Sequence, residues 1–346
     1  MTIRVVIVDD SPTMRALLTE LLRVESDIEV VGTAADARQA RSAIRTLDPD
    51  VVTLDIEMPG MNGLEFLQKL MALRPTPVVI VSGLAQKRSV IAARALQIGA
   101  VDCYGKPDGF AGSILSTDQG RLAEMVRVAA QARVRARPFA PAPGQNGAML
   151  QSALGPRLIA VGASTGGVEA LSVMLAQFPA DCPPTMVVQH INGAFAEAVA
   201  RRLDEICRAK VGIAEPDMPM RAGHIYVAPG NERHLEVRSG PTGLSVRARP
   251  GDKISGHRPS VDMLFHSAAA QVGKDAVGVL LTGMGRDGAE GLLAMARSGA
   301  RTIVQDEATS VVFGMPGAAI ALGAAGVVAP LHRIAHHVFT GPAGCP

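Results

Sequence analysis

Cysteine is scarce and scattered: Cys103, Cys182, Cys207 and Cys345 form neither a CxxC pair nor a zinc-ligand spacing. That argues against a disulfide framework and leads us to expect free thiols in a reducing cytoplasm. An excess of one charge is also missing. The 34 Lys and Arg stand against 32 Asp and Glu, a net charge of +2, which gives no electrostatic reason for a nucleic acid or an anionic membrane as main partner. The opening MTIRVVIVDD reaches an acidic pair after one short apolar run, without the longer apolar region and cleavage site of a signal peptide, so export is not expected. The longest apolar stretch, Ala318 to Leu331, is glycine-rich, interrupted by Pro330 and too short to cross about 30 Å of hydrocarbon as a helix; it reads as core, and no membrane insertion is expected. The eight histidines show no HExxH spacing, which weakens a metallohydrolase reading.

What remains is ordinary globular material in ample length. With 346 residues, 48% hydrophobic and 19% charged, two domains are expected. From Ile3 to about Gly105, β-branched runs of strand length (Ile3 to Val8, Val51 to Leu54, Val78 to Val81) alternate with segments of helical period such as Met14 to Val24. Such alternation gives a parallel sheet. A helical segment from about Gly120 to Ala136 leads into RPFAPAPGQNGAMLQSALGP, a linker by composition. Arginines 121, 127, 133, 135 and 137 have no aromatic residues interleaved and read as a solvated face rather than a nucleic-acid patch. A second α/β alternation then runs through LIAVGAS, TMVVQH, HIYVAPG, AVGVLLTGMG and TIVQDE. The expected fold class is α/β, two doubly wound parallel-sheet domains: a flavodoxin-like one over 1–120, a helix and linker over 121–154, and a Rossmann-like one over 155–346.

In the first half Asp9, Asp10, Asp55 and Ser82 all fall at carboxyl ends of strands, where open α/β sheets bind ligands, and Lys106 follows at a later strand end. Carboxylates sharing one crevice repel unless a hard cation lies between them, and such an oxygen-rich site suits magnesium. Asp55 could then accept a phosphoryl group whose oxygens are neutralised by the cation, the Lys106 ammonium and the Ser82 hydroxyl. VDDSPTMR, LDIEMPGMNGLEFL, VSG and KP, in this order, closely resemble the response-regulator receiver family. The resemblance implies Asp55 as phosphoacceptor, Asp9, Asp10, Asp55 and the main chain of Glu57 as Mg2+ ligands, Ser82 as hydroxyl switch, Lys106 as phosphate contact and Tyr104 as aromatic switch.

In the second half, LIAVGASTGG is a G-x-S-x-G between an apolar strand and the helical pattern VEALSVMLAQF, a layout that lifts Ser164 onto a sharp turn beside helix N-terminal amides. Glycine-rich turns also bind dinucleotides, but a full G-x-G-x-x-G is missing. A serine needs a base. His190 closes the strand TMVVQH, whereas His257 sits in a loop before Arg258-Pro259, so His190 is preferred. For the carboxylate that fixes the imidazole, Asp287 in a loop with three glycines is the leading candidate and Asp306 of QDE its rival; the residues alone place neither beside His190.

GASTGG, VVQH, HIYVAPG, HRPSVDMLF, LTGMGRDGAEGL and QDEATSVVFGMP, in order across essentially the whole chain, resemble the chemotaxis protein-glutamate methylesterases. The resemblance implies Ser164, His190 and Asp287 as a triad, with Thr165 and the Met284 main chain near the oxyanion and no cofactor for the ester chemistry. It implies a cytoplasmic, phosphorylation-activated enzyme that hydrolyses glutamate methyl esters on chemoreceptors, with deamidation of receptor glutamines as a second activity and a chemotaxis histidine kinase as phosphodonor. Where the family often carries Met-Pro after the histidine, this chain has Ile191, Asn192 and Gly193. The simplest regulation is a receiver that covers the Ser164 site until phosphorylated, so removal of residues 1 to about 150 should raise basal activity.

Overall fold

The computed structural model describes residues 2–58, 61–83, 86–106, 118–135, 156–191 and 193–340, without the side chains of 57, 61, 62, 83, 86–89 and 194. Pro107, Asn192, Cys345 and the linker over 136–155 lie outside the described residues. The chain divides into two compact units, Met1–Pro141 and Ala142–Pro346.

In the first unit β1 (Ile3–Val8), β2 (Ile28–Ala34), β3 (Val51–Leu54), β4 (Val78–Gly83) and β5 (Asp102–Lys106) pair in parallel in the order β2-β1-β3-β4-β5. This is the flavodoxin-like order. Between the strands lie α1 (Pro12–Arg23), α2 (Ala37–Leu47), α3 (Gly63–Leu73) and α4 (Gln86–Ile98), followed by α5 (Arg121–Ala130). The helices start where their sequences allow it. Ser11 Oγ accepts the Met14 amide at 3.3 Å with Pro12 in the first turn, and Asp36 accepts the Gln39 amide at 2.8 Å. Strand order reverses at β1 and β3, so the residues that follow them, Asp9 and Asp55, meet at the crevice such a reversal opens. Helix α5 packs on α1, β4 and β5, and Arg127 joins it to Glu25 and Asp27. One of the five basic residues of that segment is therefore an intramolecular clamp.

In the second unit seven parallel strands run in the order β8-β9-β7-β6-β12-β13-β14: β6 (Leu158–Ala163), β7 (Thr185–Gln189), β8 (Lys210–Ile213), β9 (His224–Val227), β12 (Ala276–Leu280), β13 (Arg301–Gln305) and β14 (Val327–Ala329). β6, β7 and β12 are buried along their whole length, which is why they read as continuous apolar runs rather than alternating ones. β10 (Arg233–Gly240) and β11 (Gly243–Pro250) form a separate antiparallel hairpin that the sequence reading did not anticipate. The helices are α6 (Gly167–Leu175), α7 (Gly193–Ile206), α8 (Val261–Gln271), α9 (Ala289–Arg297), α10 (Met315–Ala321) and α11 (Leu331–Phe339). The apolar stretch from Ala318 to Leu331 divides among α10, a turn, β14 and the start of α11. Among the described residues no helix is long and apolar enough to cross a membrane, and Cys103, Cys182 and Cys207 are free thiols. Here the order reverses at β6 and β12, and the loops leaving those strands carry Ser164 and the 281–288 segment.

Candidate active site

Ser164 stands between β6 and α6. The turn closes because Gly166 takes φ +74, a left-handed value that costs glycine little, and its amide neighbour Gly167 donates to the Ser164 carbonyl at 2.7 Å. The Ser164 amide donates to Thr282 O at 3.0 Å, which ties the serine to the loop after β12. A Cβ on Gly283 would lie 2.7 Å from Ser164 Cβ, so only glycine lets that loop approach the serine so closely. Thr165 is buried, with its carbonyl accepting the Thr282 hydroxyl at 3.0 Å.

His190 leaves β7 on the other side. Its amide donates to Ala163 O at 3.0 Å, the carbonyl immediately before Ser164. Its Nε2 lies 2.8 Å from Asp287 Oδ2, and its Nδ1 is buried with no hydrogen-bond partner among the described residues. Of the two candidate carboxylates it is thus Asp287 that meets the imidazole. Asp306 accepts the amide and hydroxyl of Thr309 in a turn of its own.

Asp287 is fully buried and heavily solvated by protein donors: Ser260 Oγ at 2.7 Å, the Val261 amide at 2.7 Å and the Asp262 amide at 3.1 Å. These belong to the first turn of α8, whose N-cap is Ser260. A helix N-terminus presents unsatisfied amides and the positive end of its dipole, so a carboxylate there stays charged. Burial alone pushes Asp287 up, but the bonds from His190, Ser260 and Val261 outweigh it and hold the acid at about 2. Asp262 has the opposite fate. Burial first, and then the neighbouring Asp287 charge, lift it to about 6, although it accepts the Gly291 amide at 2.7 Å.

His257 does not act as a second partner in the plane of His190. The two rings stack face to face with centroids 3.7 Å apart and planes 6° from parallel. Burial, then the proximity of His190, push His257 down to about 4. His190, His257 and Asp287 offer three ligand atoms within 4.8 Å of one another. Stacked parallel rings nonetheless aim their in-plane lone pairs side by side rather than at one point, and Asp287 Oδ2 already faces His190 Nε2, so the trio is a poor chelate.

Several supporting residues were invisible to the sequence reading. Gln189 Nε2 donates to Ser164 O at 2.8 Å, Thr282 bridges the Thr165 and Val312 main chains, and Gln305 Oε1 accepts the Thr282 amide at 2.8 Å. Only Ser260 left a local trace, as a serine with an acid two residues later before an apolar run, the mark of a helix start.

In the first unit Lys106 Nζ bridges Asp9 Oδ2 at 2.9 Å and Asp55 Oδ2 at 2.6 Å. Asp9, Asp10 and Asp55 bring carboxylate oxygens within 4.8 Å of one another. Burial lifts Asp9 above its usual range against the pull of Lys106. Among the described residues these three acids face the Lys106 ammonium, with the Arg15 guanidinium on the Asp9 and Asp10 carbonyls, and so many carboxylates in one crevice suit a hard divalent cation. Ser82 is buried at the end of β4, and the main chain of Glu57 lies two residues beyond Asp55. Tyr104 is buried, with its hydroxyl donating to Asp118 Oδ1 at 2.6 Å; that same carboxylate accepts the Leu122 amide at the start of α5.

A serine on a glycine turn, next in the chain to the carbonyl that holds the His190 amide, and an imidazole held by a buried carboxylate are elements found in serine hydrolases, here on one chain with a receiver-type sheet. The model of the CheB methylesterase family matches residues 159–338 and that of the response regulator receiver domain matches 5–111. The chain belongs to the CheB methylesterase family. It is 49% identical over 343 residues to a protein-glutamate methylesterase/protein-glutamine glutaminase of Agrobacterium fabrum, covering 97% of this chain and 95% of that one. A protein of Caulobacter vibrioides bearing that name, numbered 1, is 51% identical over 329 residues, 93% of each. The crystal structure of the Thermotoga maritima CheB methylesterase catalytic domain superposes with a TM-score of 0.52 at 33% identity, covering 54% of this chain and 98% of that domain.

Proposed function

We propose that the chain is a phosphorylation-activated protein-glutamate methylesterase, with a receiver over 1–120, a helix and linker over 121–154 and the catalytic domain over 155–346. The observation that carries it is the division of labour on His190: Nε2 faces a buried, ionised Asp287, while Nδ1 is left without a partner among the described residues. In this reading Nδ1 is the base. It takes the proton as Ser164 Oγ attacks the side-chain carbonyl of a methylated glutamate, and Asp287 stabilises the imidazolium that results. Collapse of the tetrahedral adduct breaks the C–O bond to the methoxy group, which leaves as methanol with the proton from His190. Water, deprotonated by the same nitrogen, then releases glutamate and restores Ser164. Thr165 and the Met284 main chain border the position of the oxyanion, together with the N-terminus of α6. The same steps on a glutamine side-chain amide give glutamate and ammonia, the second activity in the names of the relatives.

The switch is assigned to the first unit, with Asp55 as phosphoacceptor, Lys106 as phosphate contact, and Ser82 and Tyr104 as the residues that respond. Asp9, Asp10, Asp55 and the Glu57 carbonyl would hold Mg2+. When bound, the ion neutralises oxygens of the incoming phosphoryl group. Chemoreceptors are the proposed substrates, a chemotaxis histidine kinase the phosphodonor and the cytoplasm the compartment. The test is methanol release from methylated receptor membranes by the wild-type chain and by Ser164→Ala, with and without a small phosphodonor. Release that is stimulated in the wild type and absent in the variant supports the reading; equal release by both sinks it.

A further inference from the structure

We infer that His257 is a positioning residue for the reaction, whose ring lies flat on His190 and fixes the plane in which that imidazole presents Nδ1 to Ser164. The inference rests on the esterase reading above and goes beyond its three named residues.

A single hydrogen bond from Nε2 to Asp287 fixes one point of the His190 ring but leaves its tilt about that point soft. Among the described residues Nδ1 has no partner to remove this freedom. A second ring stacked at 3.7 Å and 6° removes it, because any tilt drives one edge into van der Waals contact with the cover. Proton transfer from Ser164 depends on that tilt, and a displacement of about 1 Å at a reacting centre can cost about 100-fold.

The chain holds the cover rigidly. Ile254 and His257 exchange two main-chain bonds, at 3.0 and 2.9 Å, around a two-residue turn in which Ser255 and Gly256 both take positive φ, +50 and +83. Three residues after His257 begins the turn of α8 that grips Asp287 through Ser260, Val261 and Asp262. One short segment, 254–262, therefore covers the base and holds its acid. The choice of histidine has a cost, since His257 Nδ1 is buried with no hydrogen-bond partner among the described residues. With its pKa pushed down to about 4 by burial, the ring stays neutral at reaction pH, so it lays a π face rather than a like charge against His190 when that imidazole becomes cationic. As a base in its own right His257 is badly oriented, with its face rather than an edge turned to His190.

The experiment measures methanol release from methylated receptor membranes by the full chain carrying His257→Ala, His257→Leu or His257→Phe, with Ser164→Ala alongside, each corrected for the folded fraction from its thermal melt. Expected are a kcat about 10- to 100-fold lower for Ala and Leu with KM within about twofold, and recovery to within about threefold by Phe, which keeps a flat ring and has no nitrogen. Leu keeps the volume without the plane and stands in should the Ala variant fail to fold. An unchanged kcat in Ala or Leu, or a Phe variant no better than Leu, overturns the positioning role; the latter result would mean that a His257 nitrogen, not its face, is needed. Neither outcome touches the triad. Undiminished release by Ser164→Ala overturns instead the esterase reading on which the inference rests.

Discussion

Asp287 Oδ2 lies 2.8 Å from His190 Nε2, and the other contacts of the carboxylate are three donors from the start of α8. Each carboxylate oxygen meets a main-chain amide that can only donate, Val261 N–H at Oδ2 and Asp262 N–H at Oδ1. Asp287→Asn places an amide N–H against one of them. The expected result is a kcat lower by about 10³- to 10⁴-fold, as the imidazole loses both its tautomer control and its counter-charge. A fall in stability of about 1–3 kcal/mol should accompany it, from the donor left facing a donor. Methanol release and denaturant titration check the two parts; wild-type kcat in a folded variant would remove Asp287 from the mechanism.

Asp262 is a buried carboxyl beside that charge, raised to about 6. A group whose pKa is higher in the folded protein than in the unfolded chain favours folding below its unfolded value, near 3.8, and loses that benefit as pH rises through about 6. At pH 7 the protein must therefore ionise Asp262 against Asp287. Asp262→Asn keeps an acceptor for the Gly291 amide and adds a donor for Asp287, so it should stabilise the second unit at pH 7 by about 1–3 kcal/mol. The gain should vanish near pH 4. A melt that shows no gain at pH 7 would refute this.

His257 supplies the opposite slope. Its folded value of about 4 lies below the ordinary 6.5, so the unfolded chain binds the extra proton and stability falls as pH drops from about 6.5 toward 4. His190, Asp287 and Lys253 are the charged or titratable groups acting on it. His257→Phe has nothing to protonate. The stability difference between variant and wild type should shift in favour of the variant across that window, measured by thermal melts at constant ionic strength; parallel curves would show that His257 is protonated as easily in the folded protein as outside it.

The elements were legible where a single physical rule governs them. β6, β7 and β12 are buried throughout and read as unbroken apolar runs, and the strand-end rule placed Asp9, Asp55, Ser164 and His190. What escaped depends on distance in space. Nothing near Asp287 or Asp306 in the chain says which of them meets the distant imidazole of His190, because the choice is made by the N-terminus of α8. The stack of His190 on His257 escaped for the same reason, and so did the hydrogen bond of Tyr104 to Asp118. The hairpin of β10 and β11 leaves only a weak trace, since residues between HIYVAPG and HRPSVD carry a short alternating pattern beside the stronger runs of the parallel strands.

The Lys106 ammonium between Asp9 and Asp55, at 2.9 and 2.6 Å, gives the last prediction. Lys106→Met leaves two buried carboxylates facing each other and a third beside them, a loss of about 3–5 kcal/mol for a broken buried pair. Protonating one acid relieves the repulsion, and Asp9, already lifted by burial, is the acid to do so. The first unit of the variant should therefore melt well below wild type at pH 7 and closer to it at pH 5. Added Mg2+ should recover part of the deficit at pH 7, since a divalent ion replaces the missing charge. Basal methanol release, which depends on the second unit, should persist while stimulation by the phosphodonor is lost. A variant that melts like wild type at both pH values would mean that the three acids do not share one site.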